Sequence, residues 1–251
     1  MKINFPSAFT VAPDAVLLDL DDTLYAYDHA HQSAYKAIKQ KLFKDYSVKE
    51  SAIDFTFKQA KNEIKLSLKK TAASHSRLLY FQRMLELMGL GSQPLLCLDL
   101  EQTYWRTFLN NAQLFPGVKE FLDDLRILRI PSAIVTDLTA QIQFRKLLYF
   151  GLDRYFTAIV TSEEVGLDKP HPMIFELALK KINPSGDCIW MIGDNSINDI
   201  LGAKNAIGAI TLQKIHSGVE IGSNESLPDA HFNSFIELSR LLKALNEYAS
   251  N

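Results

Sequence analysis

The stretch that decides the fold of this chain is Ala15–Tyr25, AVLLDLDDTLY. Its apolar run, Val16–Leu18, predicts a strand that is buried on both faces of a sheet. The run ends at once in carboxyl side chains, of which Asp19 and Asp21 come first. Because like charges this close raise each other's pKa, such crowding is costly unless a cation and a ligand balance it. In open α/β sheets, ligands bind at this end of the strands.

Asp19 and Asp21 are separated by one residue. In extended backbone, residues two apart point to the same side, so we expect both carboxylates to face one space. Such a pair can divide a reaction, one carboxylate attacking an electrophile while the other transfers protons. One alternative is a simple turn after the strand, where Asp is common. A calcium loop is a second alternative, but Leu24 stands where such a loop needs glycine.

The composition limits the class of protein. With 251 residues, 47% of them hydrophobic and 22% charged, the chain can bury a sizeable core in one large domain or two smaller ones. A formal net charge of -2 gives no electrostatic signature of nucleic-acid binding. No run of about 18 apolar residues predicts a membrane span, and the N-terminus lacks the apolar core of a signal peptide. We therefore expect a cytoplasmic protein that binds neither nucleic acid nor membrane.

Residues 26–113 have the pattern of a helical insertion. The sequence contains no glycine or proline from Asp14 to Met88, which favours continuous helices. Between Ile53 and Leu68, apolar residues recur every three or four positions, as on one face of an amphipathic helix. We expect about four helices in this block.

After Phe115 the chain alternates apolar strands with helices. That alternation predicts right-handed crossovers and a parallel sheet. We expect strands near residues 132–136, 158–161, 188–192 and 209–212, and helices near residues 118–128, 139–150, 173–182, 197–205 and 235–248. Residues 1–14, which contain two prolines, are expected to be irregular.

The predicted fold class is therefore α/β, a Rossmann-like parallel sheet with helices on both faces plus an inserted all-helical cap. Residues 1–25 and 114–251 are expected to form the core that carries the site. Residues 26–113 are expected to form the cap, standing over the carboxyl end of the first strand.

Three further motifs follow the first. An apolar strand ends in Thr at Ala133–Thr136, Lys169 precedes a predicted helix, and a strand ending in Gly-Asp with a later second Asp lies within Ile189–Asp199. With the hhhhDxDxT pattern of Val16–Thr23, these motifs resemble, in the same order, those of the haloacid dehalogenase-like (HAD) hydrolase superfamily. The likeness is to its phosphatase branch, which has a helical cap inserted after the first motif. It spans nearly the whole chain.

The resemblance implies a role for each motif residue. Asp19 is the nucleophile that attacks phosphorus and forms an aspartyl-phosphate. Asp21 protonates the leaving oxygen and then deprotonates the attacking water. Thr136 and Lys169 bind the phosphoryl group and stabilise the charge on its oxygens.

The resemblance also implies a divalent cation, because a carboxylate nucleophile and a phosphate repel each other. Mg²⁺ prefers oxygen ligands and keeps several waters. The implied ligands are Asp19, the backbone carbonyl of Asp21 and Asp194. Asp199 is implied to stand behind them, orienting a water or holding Lys169.

Asp137 departs from the family pattern, which commonly has asparagine at this position. Its place in the second motif makes it a candidate substrate-binding residue. An additional anion beside a bound phosphate is unfavourable, however, so its side chain is expected either to point away or to make a capping contact.

The cap contains a polar gap, residues 71–76, between two helical stripes, with Lys69, Lys70, His75 and Arg77 around it. We hypothesise that the gap overhangs the site and that His75 and Arg77 help to select the substrate. The alternative is a solvated loop between helices, with Arg77 beginning the second helix.

The predicted function is Mg²⁺-dependent hydrolysis of a small phosphorylated metabolite, because a closing cap excludes bulky substrates. A phosphomutase or other phosphotransferase differs only in the acceptor and stays an alternative. A 2-haloacid dehalogenase shares the nucleophile but lacks the second aspartate, so Asp21 disfavours it. A catalytically silent binding protein on the same fold is the alternative from another class. The sequence predicts neither the substrate nor whether the chain is a monomer or a homodimer.

Overall fold

The computed structural model describes residues 1–249. Its strands, in chain order, are β1 Lys2–Ile3, β2 Ala15–Leu18, β3 Ser132–Thr136, β4 Ala158–Thr161, β5 Ile189–Gly193, β6 Ile210–Lys214 and β7 Ala230–Phe232. Its α-helices are α1 Tyr27–Tyr46, α2 Glu50–Leu68, α3 Arg77–Leu87, α4 Pro94–Asn111, α5 Val118–Ile127, α6 Ala140–Phe150, α7 Ser162–Val165, α8 Pro172–Ile182, α9 Gly202–Ile207 and α10 Phe235–Ala249. The chain divides into two compact units, one of residues 1–25 with the chain from residue 114 onward, the other of residues 26–113.

A seven-stranded sheet organises the first unit, in the order β1-β7-β6-β5-β2-β3-β4. The first motif supplies β2, which pairs in parallel with β3 on one side and β5 on the other. Every residue of β2 is buried, as expected for an apolar run inside a sheet. The predicted α/β fold with a mostly parallel sheet is confirmed.

The sheet brings the carboxyl ends of β2, β3 and β5 together. Leu18 of β2 is in register with Ile134 of β3 and with Ile192 of β5. One residue beyond, the backbone N–H of Asp19 donates a 2.9 Å hydrogen bond to the carbonyl of Ile192. The residues that end or follow these three strands therefore emerge side by side at one edge.

Two strands and one helical turn differ from the sequence prediction. β1 lies within residues 1–14, for which we expected irregular chain, and pairs antiparallel with β7. These strands have two and three residues, too short for an alternating pattern to be visible. The helix expected over residues 197–205 instead begins with a π-helical turn, Ser196–Leu201, before α9. Such turns are rare in proteins, but those that occur often lie at functional sites.

The second unit consists of α1–α4 and a 3-10 turn, Ala72–His75. α1 packs against α4, and α2 packs against α3. The apolar face of α2 is buried at Ile53, Phe57 and Ala60. No helix in residues 1–249 combines the length and the apolar character that crossing a membrane requires.

His31 of α1 lies among aromatic rings inside this unit. Its Nδ1 is 2.6 Å from the hydroxyl oxygen of Tyr104, and its ring stacks on that of Tyr27. Burial, together with the positive charges of Arg77 and Lys61, lowers the pKa of His31 to about 4. In the unfolded chain a histidine has a pKa of about 6.5.

We predict that folding stability falls as the pH drops from about 6.5 towards about 4, because the unfolded chain binds a proton at His31 that the folded chain does not. His31→Gln should therefore lose less of its thermal midpoint on acidification than the wild-type protein does. His29→Gln, at an exposed position of the same helix, should keep the wild-type dependence. Circular dichroism melts across this pH range measure the difference, and equal dependence in both variants would contradict the prediction.

Candidate active site

The ammonium group of Lys169 joins two carboxylates at the carboxyl edge of the sheet. Its Nζ is 2.7 Å from Oδ1 of Asp19 and 2.6 Å from Oδ1 of Asp199. It also donates a 3.0 Å hydrogen bond to the carbonyl of Val135, the penultimate residue of β3. Burial lowers the pKa of Lys169, but the two carboxylates raise it well above its usual value. The lysine is therefore charged, and it links all four motifs.

Asp19 is held at both of its carboxylate oxygens. Oδ1 accepts the hydrogen bond from Lys169, and Oδ2 accepts a 2.9 Å hydrogen bond from the hydroxyl of Thr23. Asp19 is only 5% exposed. Burial raises the pKa of Asp19 to about 7, although the charge of Lys169 opposes the rise.

Asp194 and Asp199 complete an acidic cluster with Asp19. One carboxylate oxygen from each of the three lies within 4.8 Å of the others. Asp199 is fully engaged, because Oδ1 accepts from Lys169 and Oδ2 accepts the backbone N–H of Asn195 at 3.0 Å. The π-helical turn that follows Asn195 presents Asp199 to the cluster.

The carboxylate of Asp194 makes fewer hydrogen bonds than those of Asp19 and Asp199. Within residues 1–249 its carboxylate accepts one long hydrogen bond, 3.4 Å from the hydroxyl of Thr23. Burial, followed by the charges of Asp199 and Asp19, raises the pKa of Asp194 to about 9. Its carboxylate therefore has oxygen lone pairs to offer a cation.

The charge of this cluster indicates what it can bind. Three carboxylates face one ammonium group, and burial together with this crowding of negative charge raises the pKa of Asp19 to about 7 and that of Asp194 to about 9, which favours bound protons when no cation is present. A divalent cation among these oxygens would replace the protons and remove the repulsion. Oxygen donors of this kind are those that Mg²⁺ prefers. The residues therefore fit a magnesium ion.

Asp21 contacts a buried lysine that the sequence analysis missed. Nζ of Lys146 in α6 is 2.6 and 2.8 Å from the two carboxylate oxygens of Asp21. The hydroxyl of Tyr25 donates to the same carboxylate, and the amide of Gln143 donates at 3.2 Å. Burial raises the pKa of Asp21, but these three partners lower it below its usual value.

A signal for Lys146 exists in the sequence. Gln143, Lys146 and Phe150 step by three and four residues along α6 and share its buried face. A lysine on a face that is otherwise buried needs a charged partner, because burying an unpaired ammonium is very costly. The partner is not visible in the sequence, since Asp21 lies 125 residues away.

Gln143 also fixes the threonine of the second motif. Its Nε2 donates to Oγ1 of Thr136 at 2.7 Å and to the carbonyl of Asp137 at 2.7 Å. Because Oγ1 of Thr136 accepts this bond, its own hydrogen stays available as a donor, and here it points to the carbonyl of Asp137 at 3.3 Å. Gln143 thereby fixes the orientation of the Thr136 hydroxyl.

Asp137 makes a local contact. Its Oδ1 accepts the backbone N–H of Lys169 at 2.9 Å, which ties the second motif to the third. Burial raises the pKa of Asp137 to about 6, against the effect of Lys169. The side-chain oxygen of an asparagine would accept the same hydrogen bond.

His75 and Arg77 belong to the second unit, whereas the acidic cluster of Asp19, Asp194 and Asp199 belongs to the first. The polar gap that contains His75 is a 3-10 turn, Ala72–His75, with Ala72 and Ser74 buried. Arg77 begins α3, and its Nη1 donates a 2.8 Å hydrogen bond to the carbonyl of His75.

Sequence comparison agrees with this geometry. A family model of the haloacid dehalogenase-like hydrolases matches residues 13–206, which include all four motifs. The chain belongs to this family. It is a HAD-like hydrolase, and curated relatives with similar sequences are phosphatases.

The relatives include a ribulose-1,5-bisphosphate 5-phosphatase of Halopiger xanaduensis, 39% identical over 79% of this chain and 83% of that protein. A glyceraldehyde 3-phosphate phosphatase of Methanopyrus kandleri is 28% identical over 92% of this chain and 97% of its own length. The pyrimidine 5'-nucleotidase YjjG of Escherichia coli is 29% identical over 77% of this chain and 82% of its own length.

Solved structures share the fold. The HAD-hydrolase YfnB of Bacillus subtilis, bound to magnesium, superposes with a TM-score of 0.69 at 22% identity, covering 92% of this chain and 99% of that one. A HAD phosphatase of Thermococcus onnurineus gives 0.68 at 24% identity, covering 91% of this chain and 97% of that one. At these identities the likeness bears on the fold alone.

Gly193, the last residue of β5, leaves the space that Asp199 occupies. A Cβ added at Gly193 would lie 2.4 Å from Cβ, Cγ and Oδ2 of Asp199. We predict that Gly193→Ala displaces Asp199, loosens Lys169 and weakens Mg²⁺ binding by about 10- to 100-fold, the usual cost of disturbing groups that orient metal ligands.

Isothermal titration with Mg²⁺ measures this effect. Gly208→Ala is the control, because a Cβ there meets nothing within 4 Å while φ is +62°, so it should cost stability but not Mg²⁺ affinity. Unchanged Mg²⁺ affinity in Gly193→Ala would contradict the prediction.

Proposed function

We propose that this chain is a Mg²⁺-dependent phosphatase that hydrolyses a small phosphorylated metabolite through an aspartyl-phosphate at Asp19. The observation that carries the proposal is the double contact of Lys169, 2.7 Å from Asp19 and 2.6 Å from Asp199. Through these contacts, the ammonium group of Lys169 lies beside the proposed nucleophile and beside the carboxylate oxygens that would hold the metal ion. Phosphoryl transfer requires these parts and little other covalent chemistry from the protein.

The magnesium ion would be held by Asp19, Asp194 and the backbone carbonyl of Asp21, with Asp199 behind them. When bound, it supplies the positive charge that lets an anionic carboxylate approach a phosphate ester. The pKa of Asp194, raised to about 9, supports this assignment, because it reflects burial first and then the negative charges of Asp199 and Asp19.

In the first step, a carboxylate oxygen of Asp19 attacks phosphorus. A new P–O bond forms to Asp19 as the bond from phosphorus to the ester oxygen breaks. Lys169 and the hydroxyl of Thr136 stabilise the charge on the phosphoryl oxygens. The leaving alkoxide takes its proton from Asp21, and because the lowered pKa of Asp21 disfavours its protonated form, this is the less favoured of its two roles.

In the second step, Asp21 takes a proton from water as that water attacks the phosphorus of the aspartyl-phosphate. The bond from phosphorus to Asp19 breaks, and inorganic phosphate leaves. The ion pair between Lys146 and Asp21 supports this step in particular, because an ammonium at 2.6 Å stabilises the carboxylate form that accepts a proton. We therefore propose that Lys146 and Gln143 are positioning residues for Asp21.

The substrate class follows from the relatives. Those named above act on ribulose-1,5-bisphosphate, glyceraldehyde 3-phosphate and pyrimidine nucleotides by their names. Two of the three are sugar phosphates, so we propose a sugar phosphate or a similarly small ester. Because all three are named as phosphate-removing enzymes, they favour water over a second metabolite as the phosphoryl acceptor.

We predict that p-nitrophenyl phosphate is hydrolysed only with Mg²⁺, and that Asp19→Asn lowers kcat by about a thousandfold or more, because the nucleophile is lost. Asp187→Asn, at an exposed position of the same unit, should keep wild-type turnover. Release of p-nitrophenolate with and without a chelator measures both effects. Metal-independent turnover, or an active Asp19→Asn, would argue against the proposal, and halide release from a 2-haloacid would support a dehalogenase instead.

We also predict that Lys146→Met slows hydrolysis of the aspartyl-phosphate more than its formation. Without the ammonium, the pKa of Asp21 rises, so less of it is in the carboxylate form that accepts a proton, and its orientation is less well fixed. Loss of a general base costs about 100-fold or more. Stopped-flow traces with p-nitrophenyl phosphate should then show a burst of one equivalent of p-nitrophenolate before a slow steady state.

The controls separate chemistry from folding. Lys146→Arg keeps the charge and should recover most of the steady-state rate. Lys181→Met removes an ion pair to Glu164 on the surface of the same unit and should behave as wild type. If Lys146→Met shows an unchanged kcat and no burst, then Lys146 does not position Asp21 for the reaction.

A further inference from the structure

Gln213 is a fully buried amide near the carboxyl end of β6, where it is the penultimate residue. Glutamine is seldom fully buried, because each of its polar atoms then needs a hydrogen-bond partner within the protein. Here Nε2 donates to the backbone carbonyls of Asp194 at 2.8 Å and Glu220 at 2.9 Å, and Oε1 accepts the backbone N–H of Gly222 at 3.0 Å. Both amide hydrogens are thus used, and one side chain joins the fourth motif to the chain that follows β6.

The contact with Asp194 holds the backbone of a proposed metal ligand. Asp194 follows Gly193, the last residue of β5, which is in register with Gln213 of β6. Within residues 1–249, the carboxylate of Asp194 accepts one long hydrogen bond, 3.4 Å from the hydroxyl of Thr23. Because hydrogen bonds to the side chain hold it so weakly, the backbone has a large share in setting where the carboxylate oxygens lie. Gln213 fixes that backbone at its carbonyl.

Residues 216–222, which we call the β6 loop, lie against the other segments of the site. Nε2 of His216 is 3.6 Å from Oδ1 of Asp22 in the first motif. A Cβ added at Gly222 would lie 2.9 Å from Cβ of Ser196, the first residue of the π-helical turn in the fourth motif. The β6 loop therefore adjoins both motifs that supply carboxylates to the acidic cluster.

Gln213 also holds the end of the β6 loop. Its contacts there, the carbonyl of Glu220 and the N–H of Gly222, lie two residues apart. The same amide group therefore makes hydrogen bonds both to this end of the loop and to Asp194. A continuous set of hydrogen bonds of this kind can carry energetic coupling between two parts of a protein.

We propose that Gln213 is a positioning residue for Asp194 and couples the metal site to the β6 loop, so that a divalent cation at the acidic cluster orders the loop. With a cation bound, the carboxylate of Asp194 is fixed, and the backbone that carries it fluctuates less. Gln213 extends this restriction to Glu220 and Gly222. Because coupling is reciprocal, an ordered loop also favours the bound cation. The inference rests on the Mg²⁺ site of the proposed function.

A purely structural amide is the alternative. Gln213 would then only pair two carbonyls and one N–H that burial would otherwise leave without partners. Its loss would lower the free energy of unfolding but would not change how the β6 loop responds to metal. The experiment therefore needs a readout that depends on the cation and a control variant that costs stability by another route.

Hydrogen–deuterium exchange of residues 216–222, with and without Mg²⁺, is this readout, and isothermal titration measures the Mg²⁺ affinity. In the wild-type protein, saturating Mg²⁺ should slow exchange of the β6 loop. Gln213→Met has a side chain of similar length without the amide. It should bind Mg²⁺ about 10- to 100-fold more weakly, the usual cost of losing a group that orients a metal ligand. At saturating Mg²⁺, its loop should exchange as fast as without the cation.

Thr211→Val is the matched control. Thr211 lies two residues before Gln213 on β6, is also fully buried, and donates a 2.8 Å hydrogen bond from its hydroxyl to Asp229. The variant removes a buried hydrogen bond from the same strand while leaving the contact between Gln213 and Asp194 in place. It should lower the thermal midpoint but keep the wild-type Mg²⁺ affinity and the wild-type protection of the loop.

The inference is overturned if the wild-type protein binds Mg²⁺ while its β6 loop exchanges equally with and without the cation. It is also overturned if Gln213→Met keeps the wild-type affinity or the Mg²⁺-dependent protection, or if Thr211→Val loses both to the same degree. Gln213→Glu keeps an acceptor for Gly222 but not the donors. It replaces Gln213→Met if that variant does not fold, and the same outcomes apply.

The titration separates this inference from the proposed function. If the wild-type protein binds no Mg²⁺, the proposed metal site fails and the inference fails with it. Binding of Mg²⁺ without a response of the β6 loop overturns the inference alone and leaves the proposed metal site intact.

Discussion

The structure depends on how one buried ammonium group balances carboxylates that would otherwise repel each other. Lys169 contacts both Asp19 and Asp199, and all three are almost fully buried. Removing one member of such a cluster leaves an uncompensated buried charge, which is more costly than losing a surface ion pair. The backbone around Lys169 and Asp199 leaves space for this contact and adds a hydrogen bond to it. Gly193 leaves space for Asp199, and the carbonyl of Val135 takes a further hydrogen bond from Lys169.

The two carboxylates of the first motif lie two residues apart but have opposite environments. Burial raises the pKa of Asp19 to about 7, whereas Lys146, Tyr25 and Gln143 lower that of Asp21 below its usual value. When no cation is bound, this order is the reverse of the one that a carboxylate nucleophile at Asp19 and an acid at Asp21 need, and a divalent cation beside Asp19 would lower its pKa. Here the separation arises from neighbours far away in sequence, since α6 supplies both Lys146 and Gln143.

This dependence on distant neighbours explains what the sequence predicts and what it does not. Apolar runs that end in Asp, Thr or Gly-Asp predict both a buried strand and the residue at its carboxyl end. The sequence is therefore enough to locate β2, β3 and β5 and the residues that end or follow them. The role of Lys146 cannot be predicted in this way, because it depends on a contact with Asp21, a residue 125 positions earlier. β1 and β7 are too short to show a period. The role of Asp137 also depends on a distant contact, the backbone N–H of Lys169.

The acidic cluster of the core holds more negative than positive charge. Three carboxylates are clustered there against one lysine. Evolution tolerates unbalanced, partly desolvated charge where a ligand balances it, because charge without a partner lowers stability. A divalent cation would account for the imbalance at the acidic cluster.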